Sequence, residues 1–261
     1  MSIGLSIDEP AYFDRLAQVE AEHWWSRGMW RLASHWLDAA IGETHLARAL
    51  DVGCGAGGTA IRLADRYRIG EIIGLDPSEA ALDRARRRHD GPLILGSALE
   101  LPFEDASFDL VACLDVMQHL PEDDDARAAS ELHRVLRPGG LALVRSNALS
   151  RRAYRGEGVR ALGLRHLVGV LSDAGLKIRR ASRANCLPAM AEEVRGRLGS
   201  RPRQVNASKP EGGGLCIRVP SPAVNRIMGA VSTAEAWVAG RAGVPLPYGH
   251  STMVLATREG G

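Results

Sequence analysis

Four glycines follow a short apolar run in the stretch LDVGCGAGGTA, at positions 53, 55, 57 and 58. Glycine lets a backbone turn tightly and leaves room for a ligand where a Cβ would stand. The spacing Gly53-x-Gly55-x-x-Gly58 satisfies the dinucleotide fingerprint, in which a pyrophosphate meets bare N–H groups at a helix start. It satisfies equally the looser G-x-G-x-G loop of a site for S-adenosylmethionine (SAM), which carries no phosphate. SAM offers an ammonium, a carboxylate, a sulfonium, a ribose and an adenine, so its site wants one acid near the ammonium and another on the ribose hydroxyls. Asp51, just before Gly53, is placed for the ammonium, and Asp76, in IIGLDPS, for the ribose diol. Asp76 alone does not discriminate, because dinucleotide sites use the same carboxylate.

Other residue types in the chain could act beside such a loop. His119, in VMQHLPED, follows an apolar run by a few residues. Transfer to a hydroxyl needs a proton removed, and an imidazole with a pKa near ~6.5 suits that task at neutral pH. The competing reading is a loop-ordering histidine bonded to backbone. Trp25 and Arg27 could close over the ligand, Arg27 meeting its carboxylate; equally, Trp24, Trp25 and Trp30 could anchor helices to the sheet. Tyr154, Arg151 and Arg155 either bind an acidic group of the substrate or face water, and His23, His166 and His250 are lesser candidates. Cys113 reads as a packing residue. No N-P-P-Y, D-P-P-Y or C-x-x-x-C-x-x-C occurs, which counts against adenine-N6, glutamine and radical chemistry.

The elements that must position these residues are legible as periodicity. Charge-poor runs at 49–52, 72–75, 93–95, 108–112 and 141–144 have the composition of strands buried on both faces of a parallel sheet. Helical patterns lie between them near 59–68, 78–88 and 122–136, and a further helix is expected over 160–174 before a strand at 176–180. The acids Glu122 to Asp125 read as helix-start residues, and Pro138-Gly139-Gly140 predicts a turn. Ahead of the core, Asp8-Glu9-Pro10 marks the start of a helical prelude. Residues 185–249 are broken by prolines and glycines, with helical patterns near 186–198 and 222–241, before a last strand at 251–257. The expected organisation is an N-terminal helical cap over 1–46, a ligand-binding core over 47–184, an insertion or lid over 185–249 at the site's mouth, and a final core strand over 250–261.

Four blocks together resemble the class I SAM-dependent methyltransferases: DVGCGAGGTA, IIGLDPSEAAL, GSALELPFEDASFDLVACLDVMQHLPED and LHRVLRPGGLALV, in that order over about 50–145. YFDRLAQVEAEHWWSRGMW is similar to the start of a bacterial subgroup with an H-W-W-x-x-R element, and VPLPYGHSTMVLATR to its tail. The resemblance implies an α/β, Rossmann-like, doubly wound sheet of seven mostly parallel strands with the last antiparallel. It implies SAM as cofactor and S-adenosylhomocysteine as product. It places Gly53, Gly55 and Gly57 along the methionine moiety, Asp76 and Pro77 at the ribose, Ser97, Ala98 and Leu99 at the adenine edge, and Leu114 and Asp115 beneath the methyl donor. Family members commonly carry an acid where Ser97 stands, so the adenine amino group meets a weaker acceptor here.

The charge balance bounds the partners. From Arg145 to Arg203 basic residues exceed acids by ten, although the chain's net charge is only +2. The excess could attract an acidic acceptor or simply solvate helices. The expectation is a methyltransferase acting by SN2 transfer on a small molecule, with oxygen as the acceptor atom and a natural-product or glycan intermediate as the acceptor. An RNA methyltransferase using the arginine-rich segment, or a SAM-binding protein without methyl transfer, are the alternatives. No apolar run has the length of a bilayer helix and the start lacks the layout of a signal peptide, so the expected compartment is the cytoplasm, with no membrane partner. Four scattered cysteines without metal-site spacing predict reduced thiols and no structural zinc.

Overall fold

The computed structural model describes residues 10–148, 160–197 and 219–260. Seven strands make one sheet: β1 (Leu46–Val52), β2 (Ile69–Asp76), β3 (Leu93–Leu95), β4 (Phe108–Leu114), β5 (Leu136–Asn147), β6 (Leu176–Ala184) and β7 (Ser251–Arg258). Their order is β3-β2-β1-β4-β5-β7-β6. The first five strands are mutually parallel. β7 runs antiparallel to both neighbours, as expected of the closing strand. The order reverses between β1 and β4, so the chain leaves these two strands in opposite directions and opens a crevice above their C-terminal ends.

Helices α1 (Pro10–Glu22), α2 (Trp24–Ile41), α3 (Gly58–Arg66), α4 (Glu79–Ala85), α5 (Asp125–Val135), α6 (Leu164–Asp173), α7 (Cys186–Arg197) and α8 (Pro222–Ala236) flank the sheet. Alternation along the strands sends side chains to opposite faces. Leu50, Val52, Ile73, Leu75 and Val111 pack with Leu132 of α5 and Leu167 and Leu171 of α6. Ala49, Ile72, Leu110 and Leu143 pack with Leu32, Trp36 and Leu37 of α2 and Leu63 of α3. Both faces are therefore dry, which is why these strands carry so few charges.

The prelude and the segment before β7 hold each other. Trp36 Nε1 donates to Ala239 O at 3.1 Å, and Gly28 abuts Ser232 with no room for a Cβ. The Asn225 side chain accepts the Trp24 N–H at 2.9 Å and donates to Glu22 O at 2.8 Å, bridging the break between α1 and α2. No helix among the described residues is long and apolar enough to cross a membrane.

One local expectation is corrected and another extended. Pro138-Gly139-Gly140 lies inside β5 as a bulge, because Leu136 already pairs with Phe108 before Leu141 pairs with Leu110. Burying Leu136 starts the strand early, and the extra residues loop out, with Gly139 at φ +81°. Among the helix-start acids, Asp125 is buried. Its carboxylate takes Arg160 Nη1 at 3.1 Å and His166 Nε2 at 2.8 Å, which makes His166 a partner of Asp125.

Candidate functional site

The glycine loop joins β1 to α3 at the reversal of strand order. Gly53 and Cys54 both donate their N–H to Leu75 O, at 2.7 and 3.0 Å, which fastens the loop to the end of β2. Gly53, Gly55 and Gly57 have φ of +68°, +52° and +81°, a region that L side chains seldom occupy. Asp76, at the tip of β2, accepts Gly55 N–H on Oδ2 and Ser78 N–H on Oδ1, both at 2.9 Å. One carboxylate thus ties the loop to the following helix while lining the cavity above.

Acidic groups converge on the start of α3. Asp51 lies buried beneath the loop, accepts the Ala60 N–H, and leaves Oδ2 without a hydrogen bond. Burial and the nearby Glu20 push its carboxyl well above the usual range. Glu20 comes from α1, and a Cβ on Gly58, the first residue of α3, would overlap its carboxylate. Its Oε2 takes no hydrogen bond; the Arg88 guanidinium stands 3.6 Å away. Burial raises the Glu20 pKa against the pull of Arg62, Arg88 and Arg145. A carboxyl whose folded pKa is raised adds stability below its unfolded value and loses it as pH rises through the folded value. Glu20→Gln is therefore expected to be more stable than the native protein toward urea at pH 8 and equal to it at pH 4. An equal midpoint at both values would contradict that burial cost.

A cavity of about 1240 Å³ lies above the loop. Its floor holds Leu114 and Asp115, the latter at φ +62°, a conformation that Asp tolerates better than most residues. Arg145 on β5 clamps Asp115 through Nε at 3.1 and 3.2 Å to the two carboxylate oxygens, and stacks 4.9 Å from the Trp25 ring. Trp25 Nε1 donates to Ser251 Oγ at 3.3 Å. His119 ends the turn after β4 and is exposed to the cavity. Surrounding protein lowers its pKa, opposed by the charge of Asp115, so the ring is neutral at pH 7. Gln118 Oε1 accepts the Asn147 N–H at 2.8 Å, which turns the amide nitrogen toward His119 Nε2 at 3.4 Å. His23 accepts the Trp25 N–H on Nδ1 at 3.1 Å, so its neutral ring carries the proton on Nε2.

The cavity gathers Gly53, Gly55, Asp76, Pro77, Ser97, Ala98, Leu114, Asp115, Trp25 and His119 from among the sequence candidates. Asp51, Gly57 and Leu99 do not line it. Asp51 is under the loop, Gly57 faces Ala85 and His89, and Leu99 packs on the core. Arg27 is exposed and lines an adjoining cleft that shares Glu20, Trp30 and Arg62 with the cavity. Two residues beyond Trp25 is a rotation of about 200° on a helix, so the two cannot share a face. Arg145 stands against Trp25 instead. Arg151, Tyr154 and Arg155 lie outside the described residues. Of the arginine surplus, Arg145 and Arg160 are consumed by Asp115 and Asp125, and Arg183 donates to Pro247 O. Sequence reasoning missed Glu20, Arg62, Gln118 and Asn185, all of which line the cavity. Polar residues on otherwise ordinary helices and turns carry no local signal.

Residues 50–144 match the family described as methyltransferase domain. The chain is 37% identical over 116 residues to a demethylmenaquinone methyltransferase of Lactiplantibacillus plantarum, covering 40% of this chain and 48% of that protein. It is 35% identical over 148 residues to a 2-phytyl-1,4-naphtoquinone methyltransferase of Nostoc sp., covering 51% of this chain and 62% of that one. The chain thus spans about half the length of the curated relatives it matches. Among solved structures, the [4+2]-cyclase SpnF shares the fold, with a TM-score of 0.55 and 24% identity over 88% of this chain and 82% of that one.

Proposed function

We propose, from the premise that residues 50–144 are a methyltransferase domain of the class I, SAM-dependent kind, that this protein transfers a methyl group to an oxygen of a small-molecule acceptor. The observation that carries the choice of cofactor is the carboxylate of Glu20 set against Gly58 at the start of α3. A dinucleotide would put its pyrophosphate at that helix end. Here the Glu20 carboxyl already occupies it, against the first residue of α3, which closes that helix end to a pyrophosphate. The buried Oε2 of Glu20, with no hydrogen bond of its own, is fitted to an ammonium. Arg62, which also lines the cavity, is the candidate for the ligand's carboxylate, and Asp76 the candidate for the ribose.

SAM, when bound, supplies a methyl group already activated on sulfur. What remains for the protein is to hold donor and acceptor in line, exclude water and take up a proton. The Arg145 to Trp25 stack walls the cavity between the glycine loop and β5. His119, neutral at pH 7, takes the proton from an acceptor hydroxyl. α1 and α2, with α8 packed on α2, act as a cap and lid over the mouth. The names of the quinone methyltransferases to which the chain is similar support an aromatic or quinol acceptor.

Calorimetry tests the reading. S-adenosylhomocysteine is expected to bind and NADH is not. Asp76→Ala should weaken S-adenosylhomocysteine by about ten- to a hundredfold, as loss of hydrogen bonds to a charged group predicts. Snug NADH binding without S-adenosylhomocysteine binding would refute the proposal.

A further inference from the structure

A single drug-sized ligand fills a pocket of about 300–1,000 Å³. The cavity of about 1240 Å³ exceeds that and is lined unevenly. Polar groups at the C-terminal ends of the strands, His119, Arg145, Asn147 and Asn185, line it together with Glu20 of α1 and Arg62 of α3. Its far side, built by α7 and α8, is apolar, with Pro188, Met190, Val194 and Met228. Met190 and Val194 are also 49% and 53% exposed, so the same side chains face the cavity and the outside. Leu187, at 53%, continues their stripe along α7 at helical spacing, and Val224 and Ile227 of α8 add 48% and 64% exposure. The base of α7 is fixed. Glu235 of α8 accepts the N–H groups of Cys186 at 3.0 Å and Leu187 at 2.7 Å, at the helix end where an anion is favoured.

We infer that the acceptor is an amphiphile: its polar, methyl-accepting head lies by His119 and Asn147, and its long apolar tail runs over Met190, Val194 and Met228 and out between α7 and α8. The inference rests on the methyltransferase reading for the position of the head. An apolar tail explains why the apolar lining continues onto the surface: each methylene laid on it leaves water. Exposed apolar side chains contiguous with a cavity are the pattern of a ligand groove rather than of a solvated helix face.

The test uses 4-alkylphenols from methyl to octyl, titrated into the full chain with S-adenosylhomocysteine present and followed by quenching of Trp24 and Trp25, which line the cavity. Affinity should rise up to about fourfold per CH₂ over several carbons. Met190→Glu should weaken octylphenol at least tenfold and leave 4-methylphenol unchanged. Val194→Glu, also at an exposed position, repeats the measurement if the first variant folds poorly. Affinity that is flat with chain length, or a variant that weakens short and long phenols equally, would overturn the inference. Failure of S-adenosylhomocysteine to bind, with the chain-length dependence intact, would instead defeat the methyltransferase reading and leave the apolar groove standing.

Discussion

Replacing His119 by alanine is expected to lower kcat by about 10² or more, the usual contribution of a positioned general base, while leaving the affinity for S-adenosylhomocysteine unchanged. His119 lines the cavity and is held neutral, its pKa lowered below the ordinary 6.5 by the surrounding protein. The basic form therefore predominates at pH 7, and the native rate should fall as pH drops through that lowered pKa. His119→Ala should lose this acid limb along with the rate. A decrease smaller than about tenfold, or an unchanged pH profile, would remove His119 from the chemistry. His23 would not replace it: its Nδ1 lone pair is held by the Trp25 N–H at 3.1 Å at the start of α2, whereas the Nε2 lone pair of His119 meets only the long 3.4 Å contact of the Gln118 amide, which an acceptor hydroxyl can displace.

Gly53→Ala should cost stability and cofactor binding together. A Cβ at φ +68° meets the left-handed penalty of about 1–2 kcal/mol. The same Cβ would overlap Val116 Cγ2, adding an overpacking cost of about 1–3 kcal/mol. The sum, about 2–5 kcal/mol, is readable in urea unfolding. Adding Val116→Ala relieves the overlap but not the backbone strain, so the double variant should recover only part of the loss. Gly139→Ala separates the two costs: Gly139 sits at φ +81° with nothing near its Cβ position, so it should lose only the backbone share. If Gly53→Ala cost no more than Gly139→Ala, tight seating of the glycine loop would be wrong.

The seven strands and the glycine loop with Asp76 are legible in the chain itself, since each answers a short-range demand; the reversed direction of the closing strand is what the family resemblance implies. A strand buried on both faces must be apolar over its few residues, and a turn with positive φ selects glycine within one loop. Where two rules meet in one short segment, local reading fails. Pro138-Gly139-Gly140 has the composition of a turn, but pairing of Leu136 with Phe108 absorbs it into a bulge. Asp125 has the position of a helix-start acid and is a buried partner of Arg160 and His166, both more than thirty residues away in the chain.

The cavity's electrostatics come from packing alone. Glu20 reaches the start of α3 because α1 lies across the glycine loop, and nothing near Glu20 in the chain records that contact. The prelude signals a basic residue beside Trp25, yet the rotation of α2 turns Arg27 away and Arg145, on β5, stacks there instead. A helix turns each residue about 100° from the last, so which face meets the ligand depends on what the helix is buried against. For α2 that is the sheet on one side and α8 on the other, elements separated from it by up to about two hundred residues.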